Sequence, residues 1–202
     1  MTTMLTVWLI VVGSGMFCLC QYSSTPGKPS RPPAVWPADS QIPRFSQRPT
    51  LLMFAHPRCP CTRASIGELA LILAHCPDRV DARVLFFQPS DAAEEWSKTD
   101  LWASAESIPG VQVTSDEDGL EAARFQAHTS GQALLYAANG RLLFNGGITP
   151  ARGHSGDNAG RIAIESILSD GTATASWAFT FGCPIADPRD CRVIEEQGSC
   201  QQ

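Results

Sequence analysis

The sequence predicts an α/β domain, a mixed central sheet with helices on both faces, behind one N-terminal transmembrane helix. Three observations lead there. Apolar runs at 50–55 and 84–87, short enough for buried strands, flank a stretch whose apolar residues recur at helical spacing. Asn139-Gly140 separates two further apolar runs, the strongest short-range hairpin signature, because both residues tolerate positive φ. Residues 4–22 are almost entirely apolar or small and carry no charged side chain.

The N-terminal run is long enough to cross a bilayer, at the short end of the range. A cleaved secretory signal and a buried helix are the competing readings. No Ala-x-Ala-like site follows the run, so a transmembrane anchor or uncleaved signal over 1–22 is preferred. It makes a single pass through the inner (cytoplasmic) membrane, with the soluble domain on the periplasmic or extracytoplasmic side. Residues 23–48 hold Pro26, Pro29, Pro32, Pro33, Pro37 and Pro43, which favours extended, semi-rigid chain and reads as a stalk. A folded domain follows over 49–169, then a cysteine-containing extension over 170–202. A chain of 202 residues accommodates one ordinary domain plus such extensions. The net charge of -5 and the lack of a basic cluster argue against a nucleic-acid partner.

Within the domain, the run 50–55 is bounded by Pro49 and Pro57, as a buried central strand would be. Ile66, Leu69, Ala70 and Leu73 mark the inward face of a helix opening near Pro60, whose missing donor costs little in a first turn. A second strand covers 81–88. A helix falls within 90–104, a short strand within 108–113 and a short helix within 119–125. The hairpin pairs 133–136 with 142–144 and ends at Gly146-Gly147. Ser155 would cap a last helix, with Asp157 in its first turn and Ala159, Ile162, Ala163, Ser166 and Ile167 facing inward.

Chemistry concentrates where the first strand opens into the first helix, at His56-Pro57-Arg58-Cys59-Pro60-Cys61. Free N–H groups and the helix dipole stabilise a thiolate there, and Arg58 or Arg63 would add positive charge. Cys59 is the expected nucleophile, Cys61 its resolving partner, and His56 a proton-transfer group if its ring faces the pair. A bridge between cysteines one residue apart closes a tight ring, and strain raises the reduction potential.

Six cysteines lie beyond the anchor: Cys59, Cys61, Cys76, Cys183, Cys191 and Cys200. An even count permits disulfides. One structural bridge is expected in the tail, joining Cys183 to Cys191 or Cys200. Cys76 reads as a buried, inert thiol, His75 as a helix-terminal residue, and Trp96 and Trp102 as packing anchors. Glu94-Glu95 and Asp116-Glu117-Asp118 read as solvated surface, since calcium-loop spacing is missing. His154, between Gly153 and Gly156, reads first as part of a shaped loop and second as a base or ligand at the thiols. Asp157 and Asn158 would cap that loop.

The order of elements over 50–169, with cysteines at the end of the first strong strand, resembles the thioredoxin-like superfamily. The stretch Ile108-Pro109-Gly110-Val111 through Asp116-Glu117-Asp118-Gly119 looks like its peroxiredoxin and TlpA-type branch. The combination of Cys59-Pro60-Cys61-Thr62-Arg63-Ala64-Ser65, Gly146-Gly147-Ile148-Thr149 and Arg152-Gly153-His154-x-Gly156-Asp157-Asn158 is similar to RedB-like membrane-anchored proteins. The resemblance implies a thioredoxin-like mixed sheet and redox-active cysteines. Two departures matter. Thioredoxins use C-x-x-C where this chain has C-x-C. They also place a cis-proline facing the pair, where this chain has His128-Thr129-Ser130-Gly131-Gln132-Ala133. In that superfamily the proline keeps metal from the thiolates, so Gly131 near its position leaves room for metal. His128 resembles the histidine of Sco-type copper chaperones, which implies Cys59, Cys61 and His128 as a ligand set, although that family has three residues between its cysteines.

The favoured expectation is thiol–disulfide exchange with a protein partner by an oxidoreductase that requires no cofactor. Sco-like copper binding and delivery is the alternative, and a non-catalytic interaction module stands behind both. A peroxidase pattern does not transfer, because Pro57 precedes the cysteines but Thr62 follows them.

Overall fold

The computed structural model describes residues 2–44, 47–172 and 174–186. Helix α1 (Thr2–Ser24) has no buried residue, and it is long and apolar enough to span a membrane. Five strands form one sheet in the order β3-β2-β1-β4-β5. They are β1 (Thr50–Ala55), β2 (Asp81–Gln88), β3 (Val111–Glu117), β4 (Gln132–Tyr136) and β5 (Leu142–Gly147). The first three run parallel, while β4 is antiparallel to both β1 and β5. Helices α2 (Thr62–His75), α3 (Asp100–Glu106), α4 (Leu120–Arg124) and α5 (Ala159–Asp170) complete the domain.

Both β1 and β2 are buried at every position, as near-continuous apolar strands covered on two faces must be. The period of two splits β1 between two cores. Leu51, Met53 and Ala55 meet α2, α3 and α5 through Ile66, Leu69, Leu101, Ala163 and Ile164. Leu52 and Phe54 face Ala122, Phe125 and Tyr136. Helix α4 is too short to close that second face alone, and the proline-rich segment finishes it. Trp36 lies edge-on to Phe125 and Tyr136 at 5.0 and 5.2 Å, Tyr136 Oη donates to Pro33 O at 2.9 Å, and Trp36 N donates to Gly140 O at 2.8 Å. The segment expected as a stalk is extended, but docked along the domain.

Three local expectations are corrected. Asn158, not Ser155, caps α5, its side chain accepting from Arg161 N. The buried stripe is rotated accordingly: Gly160, Ala163, Ile164 and Leu168 face inward while Ile162 is exposed. Gly160 fixes that rotation, because a Cβ there would stand 1.9 Å from Gly147 O. Asp116 is buried rather than solvated, its carboxylate accepting from Glu121 N and Ala122 N at 2.8 and 2.9 Å at the start of α4.

After α5 the chain returns along β5. Asn145 N donates to Ser176 O, and Ala178 N to Asn145 O. Gly146 and Gly147 admit this crossing, since Cβ atoms would meet Ala178 O at 2.3 Å and Phe179 O at 2.7 Å. The returning tail then reaches the end of β1 where the cysteines lie.

Candidate functional site

Between β1 and α2 the backbone turns tightly. Cys59 N donates to His56 O and Thr62 N to Cys59 O, each at 3.1 Å, and Ala64 N donates to Cys61 O at 3.2 Å. Pro60 occupies the second position of the turn 59–62, where its fixed φ suits and no N–H is needed. Cys61 precedes α2 in helical conformation and makes no side-chain cap. The thiols therefore stand at an uncapped helix opening, where N–H groups and the dipole favour an anion.

The loop before β4 packs against this turn. Ser130 Oγ accepts from His56 N at 2.7 Å and lies 2.7 Å from Thr62 Oγ1. Gly131 has φ +87°, and a Cβ on it would lie 2.5 Å from Ser65 Oγ, so glycine is what the crossing admits. No cis peptide occurs among the described residues.

The tail adds a third thiol. Ser130 N donates to Cys183 O at 2.8 Å, Ile185 N donates to His128 O at 3.1 Å, and Thr129 forms an antiparallel bridge with Pro184. Gly182 permits the approach, because a Cβ would stand 2.0 Å from Ser130 O. The Sγ atoms of Cys59, Cys61 and Cys183 all lie within 4.8 Å of one another. All three are free thiols; Cys59 is 2% exposed, Cys61 is 7% exposed and Cys183 is half-buried. Cys183 was expected in a tail bridge with Cys191 or Cys200, which lie outside the described residues. The structure instead places it at the C-x-C pair.

The three thiols are electrostatically unequal. Burial would raise Cys59, but hydrogen bonds from the Cys183 side chain and backbone, the Thr62 hydroxyl and the Cys61 backbone outweigh it and hold the thiol below its ordinary range. Burial, then the Cys59 charge, pushes Cys61 up, and Arg152 partly offsets this. Burial and donation to Cys59 push Cys183 up to about 12. Cys59 is thus the one thiol of the three held below its ordinary range, and Cys183 a raised, proton-bearing neighbour.

A parallel three-strand half joined through its first strand to an antiparallel hairpin, with cysteines where that strand opens into a helix, decides the architecture. The fold is thioredoxin-like. No protein-family model matches the chain, and no curated protein does. An uncharacterized conserved protein from Geobacillus kaustophilus superposes with a TM-score of 0.58 at 18% identity, over 82% of this chain and 94% of that one. A hypothetical protein from Sinorhizobium meliloti 1021 does so with a TM-score of 0.54 at 17% identity, over 80% and 93%. These likenesses are of fold. A pneumococcal exposed lipoprotein thioredoxin, from Streptococcus pneumoniae strain TIGR4, gives 0.46 at 14% identity over 69% and 99%. The chain joins one N-terminal helix long and apolar enough to span a membrane to a thioredoxin-like domain bearing a Cys59-x-Cys61 site.

Of the other expected site residues of this thioredoxin-like domain, His56, Arg58, Arg63 and His128 lie away from the roles expected of them. The His56 ring stacks on Phe87 at 6.0 Å and lies edge-on to Trp96, and its Nδ1 accepts from Arg58 N at 3.1 Å. That role shapes the loop. Arg58 lies over the Trp96 ring at 4.5 Å and Arg63 pairs with Asp100, so neither supplies the expected charge. Arg152 supplies it, acting on Cys61 and Cys183. His128 is not in the group of candidate metal ligands, which among the described residues is Cys59, Cys61 and Cys183. Its backbone is tied to Ile185 and Gln132, and burial, then Lys28, lowers its pKa. His154 Nδ1 donates to Arg152 O at 2.7 Å, the loop-shaping role. Cys76 is buried at the end of α2, and His75 pairs with Glu165 at 2.9 Å. The sequence signal for Cys183 lay in Gly146, Gly147 and Gly182, which admit the tail backbone; for Arg152 there was only its place in a motif.

Proposed function

We propose that this chain is a membrane-anchored thiol–disulfide oxidoreductase that exchanges a disulfide with a partner protein outside the cytoplasm, Cys59 serving as nucleophile. One observation carries the reading: a thiol held below its ordinary range at a helix opening, with a second thiol of the same turn within 4.8 Å. The Cys59 thiolate attacks a partner disulfide, forms a mixed disulfide and releases one partner thiolate. Cys61 then gives up its proton and attacks Cys59 Sγ, releasing the second partner thiolate. The partner gains two electrons, the pair loses them, and the reverse direction uses the same atoms. No cofactor is required. Kinship with RedB-like proteins is the finer form of this proposal and rests on the Cys59–Ser65, Gly146–Thr149 and Arg152–Asn158 motifs. The test is to equilibrate the full chain in detergent against glutathione mixtures. A reversible potential above about -250 mV that vanishes in C59A supports exchange; thiols that never change state across the series overturn it.

A second reading has its own support, the three sulfur atoms within 4.8 Å of one another. Soft thiolates suit Cu(I). The ligands are then Cys59, Cys61 and Cys183, with His128 outside. Stoichiometric Cu(I) binding lost in C61A and in C183A but kept in H128A supports this set, whereas loss in H128A restores the Sco-like set.

A further inference from the structure

The proposed exchange leaves a steric problem. A partner disulfide has to reach Cys59 Sγ along a line of attack, yet Cys59 is 2% exposed and Cys61 is 7% exposed. The tail is part of the cover. It is bonded to 128–130 through Ser130 N and Ile185 N, and Gly182 lies against Ser130 O without room for a side chain. The same segment carries Cys183, half-buried beside exposed Pro184, so the outermost of the three thiols belongs to the strap over the pair.

We infer that Cys183 is a third redox cysteine, which forms a disulfide with Cys59 and presents the exchangeable sulfur to the partner. This rests on the exchange reading and deepens it. The closure is small: an Sγ separation of at most 4.8 Å must shrink to about 2.05 Å, within reach of side-chain rotation plus a slight tail shift. Cys59 and Cys183 also reach each other from different segments, so this bridge escapes the tight ring of a C-x-C disulfide.

The electron and proton balance follows. In the Cys59–Cys183 disulfide, a thiolate of a partner dithiol attacks Cys183 Sγ and expels Cys59. The sulfur expelled is the one held below the ordinary thiol range, and a lower-pKa thiol leaves faster. The mixed disulfide between the partner and Cys183 is then resolved by the partner's second thiol, which releases Cys183 as a thiol. The partner loses two electrons and becomes a disulfide. The Cys59–Cys183 bond gains them. Of the partner's two protons, one ends on Cys183 and one goes to solvent, because Cys59 leaves as thiolate. Cys61 can attack Cys59 in the same bridge and free Cys183, which exchanges one internal disulfide for another with no net redox change.

The test uses the full chain in detergent, oxidised with glutathione disulfide, quenched in acid, digested and mapped for linked peptides. A Cys59–Cys183 linkage is expected in the wild type beside Cys59–Cys61, and as the only linkage of Cys59 in C61S. Oxidation of a synthetic dithiol peptide is expected to slow at least tenfold in C183S. A wild-type map with Cys59–Cys61 alone, or with Cys183 bridged to Cys191 or Cys200, overturns the inference whether or not C61S folds. So does a C183S protein that oxidises the peptide at the wild-type rate while C59S does not, and that result leaves the exchange reading intact. A C59S protein as active as the wild type overturns both.

Discussion

Ser130 Oγ stands 2.7 Å from Thr62 Oγ1 and accepts a hydrogen bond from His56 N. A backbone N–H only donates, so the Ser130 hydroxyl has its proton free to give to Thr62, and the Thr62 hydroxyl, whose other acceptor is His56 O at a long 3.5 Å, donates to Cys59. The relay runs from backbone to thiolate in one direction. Thr62→Val keeps the shape and removes the last donor. A hydrogen bond to a charged group contributes about 1.5–3 kcal/mol, so alkylation of Cys59 by iodoacetamide at neutral pH should slow about tenfold. An unchanged rate would sink the relay.

Gly182 gives a second handle on the same site. Gly182→Ala sets a Cβ 2.0 Å from the backbone oxygen of Ser130, and the tail has to lift. Cys59 should then label several-fold faster with a bulky maleimide. The cost in unfolding free energy should stay within about 1–3 kcal/mol, as for other overpacked contacts. If labelling is unchanged in a folded variant, the tail is not what covers the pair.

Asp116 predicts a pH dependence. Burial raises its carboxyl to about 6, against two backbone donors that pull it down. The folded state thus binds this proton more tightly than the unfolded chain, whose carboxyl titrates near 3.9. The contribution to stability is fully present below about pH 4 and is lost as pH rises through about 6. Urea unfolding of wild type and Asp116→Asn in parallel isolates the effect. The wild-type advantage should fall by roughly 3 kcal/mol between pH 4 and 7. A difference independent of pH contradicts a raised Asp116.

What the sequence revealed follows from which forces are local. Strand β1 coincides with its apolar run, because burial on both faces favours continuous apolar residues, whereas β2 extends beyond its run at 84–87 to take in buried Asp81, Arg83 and Gln88, the first two paired with each other. The hairpin was legible in Asn139-Gly140, although the turn takes positive φ only at Gly140, at +85°, and not at Asn139. Asp116 was hidden because three acids in a row suggest solvent, while β3 turns only its Asp116 side chain fully inward. Arg58 and Arg63 adjoin Cys59 and Cys61 in sequence, yet their side chains are claimed by Trp96 and Asp100. Cys183 and Arg152 reach the thiols through tertiary crossings, in the tail's case made possible by glycines whose missing side chains give no local pattern. Gly182 beside Cys183 and the 152–158 motif around Arg152 are the local marks, and neither says by itself that the thiols lie across the crossing.

The loop that carries Arg152 is held by a buried charge, and that makes the last prediction. Glu68, 1% exposed on α2, accepts from Gly156 N at 2.7 Å and lies 2.8 Å from Arg161 Nε on α5. Asn158, the cap of α5, donates its side-chain N–H to the same carboxylate at 3.3 Å. One carboxylate therefore joins α2, the 152–158 loop and α5. Glu68→Ala strands part of the Arg161 charge and the Gly156 N–H, although Asp157 and Glu165 still pair with Arg161. Breaking one side of a buried pair costs about 3–5 kcal/mol, and the remaining partners place this case at about 3. Because Arg152 offsets the rise of the Cys61 thiol, loosening its loop should also move Cys61 alkylation to higher pH. Urea unfolding and the Cys61 alkylation profile read the two effects separately. A loss of stability with no change at Cys61 would show that Arg152 is positioned by its contacts with Thr25 and Gly182 rather than by Glu68.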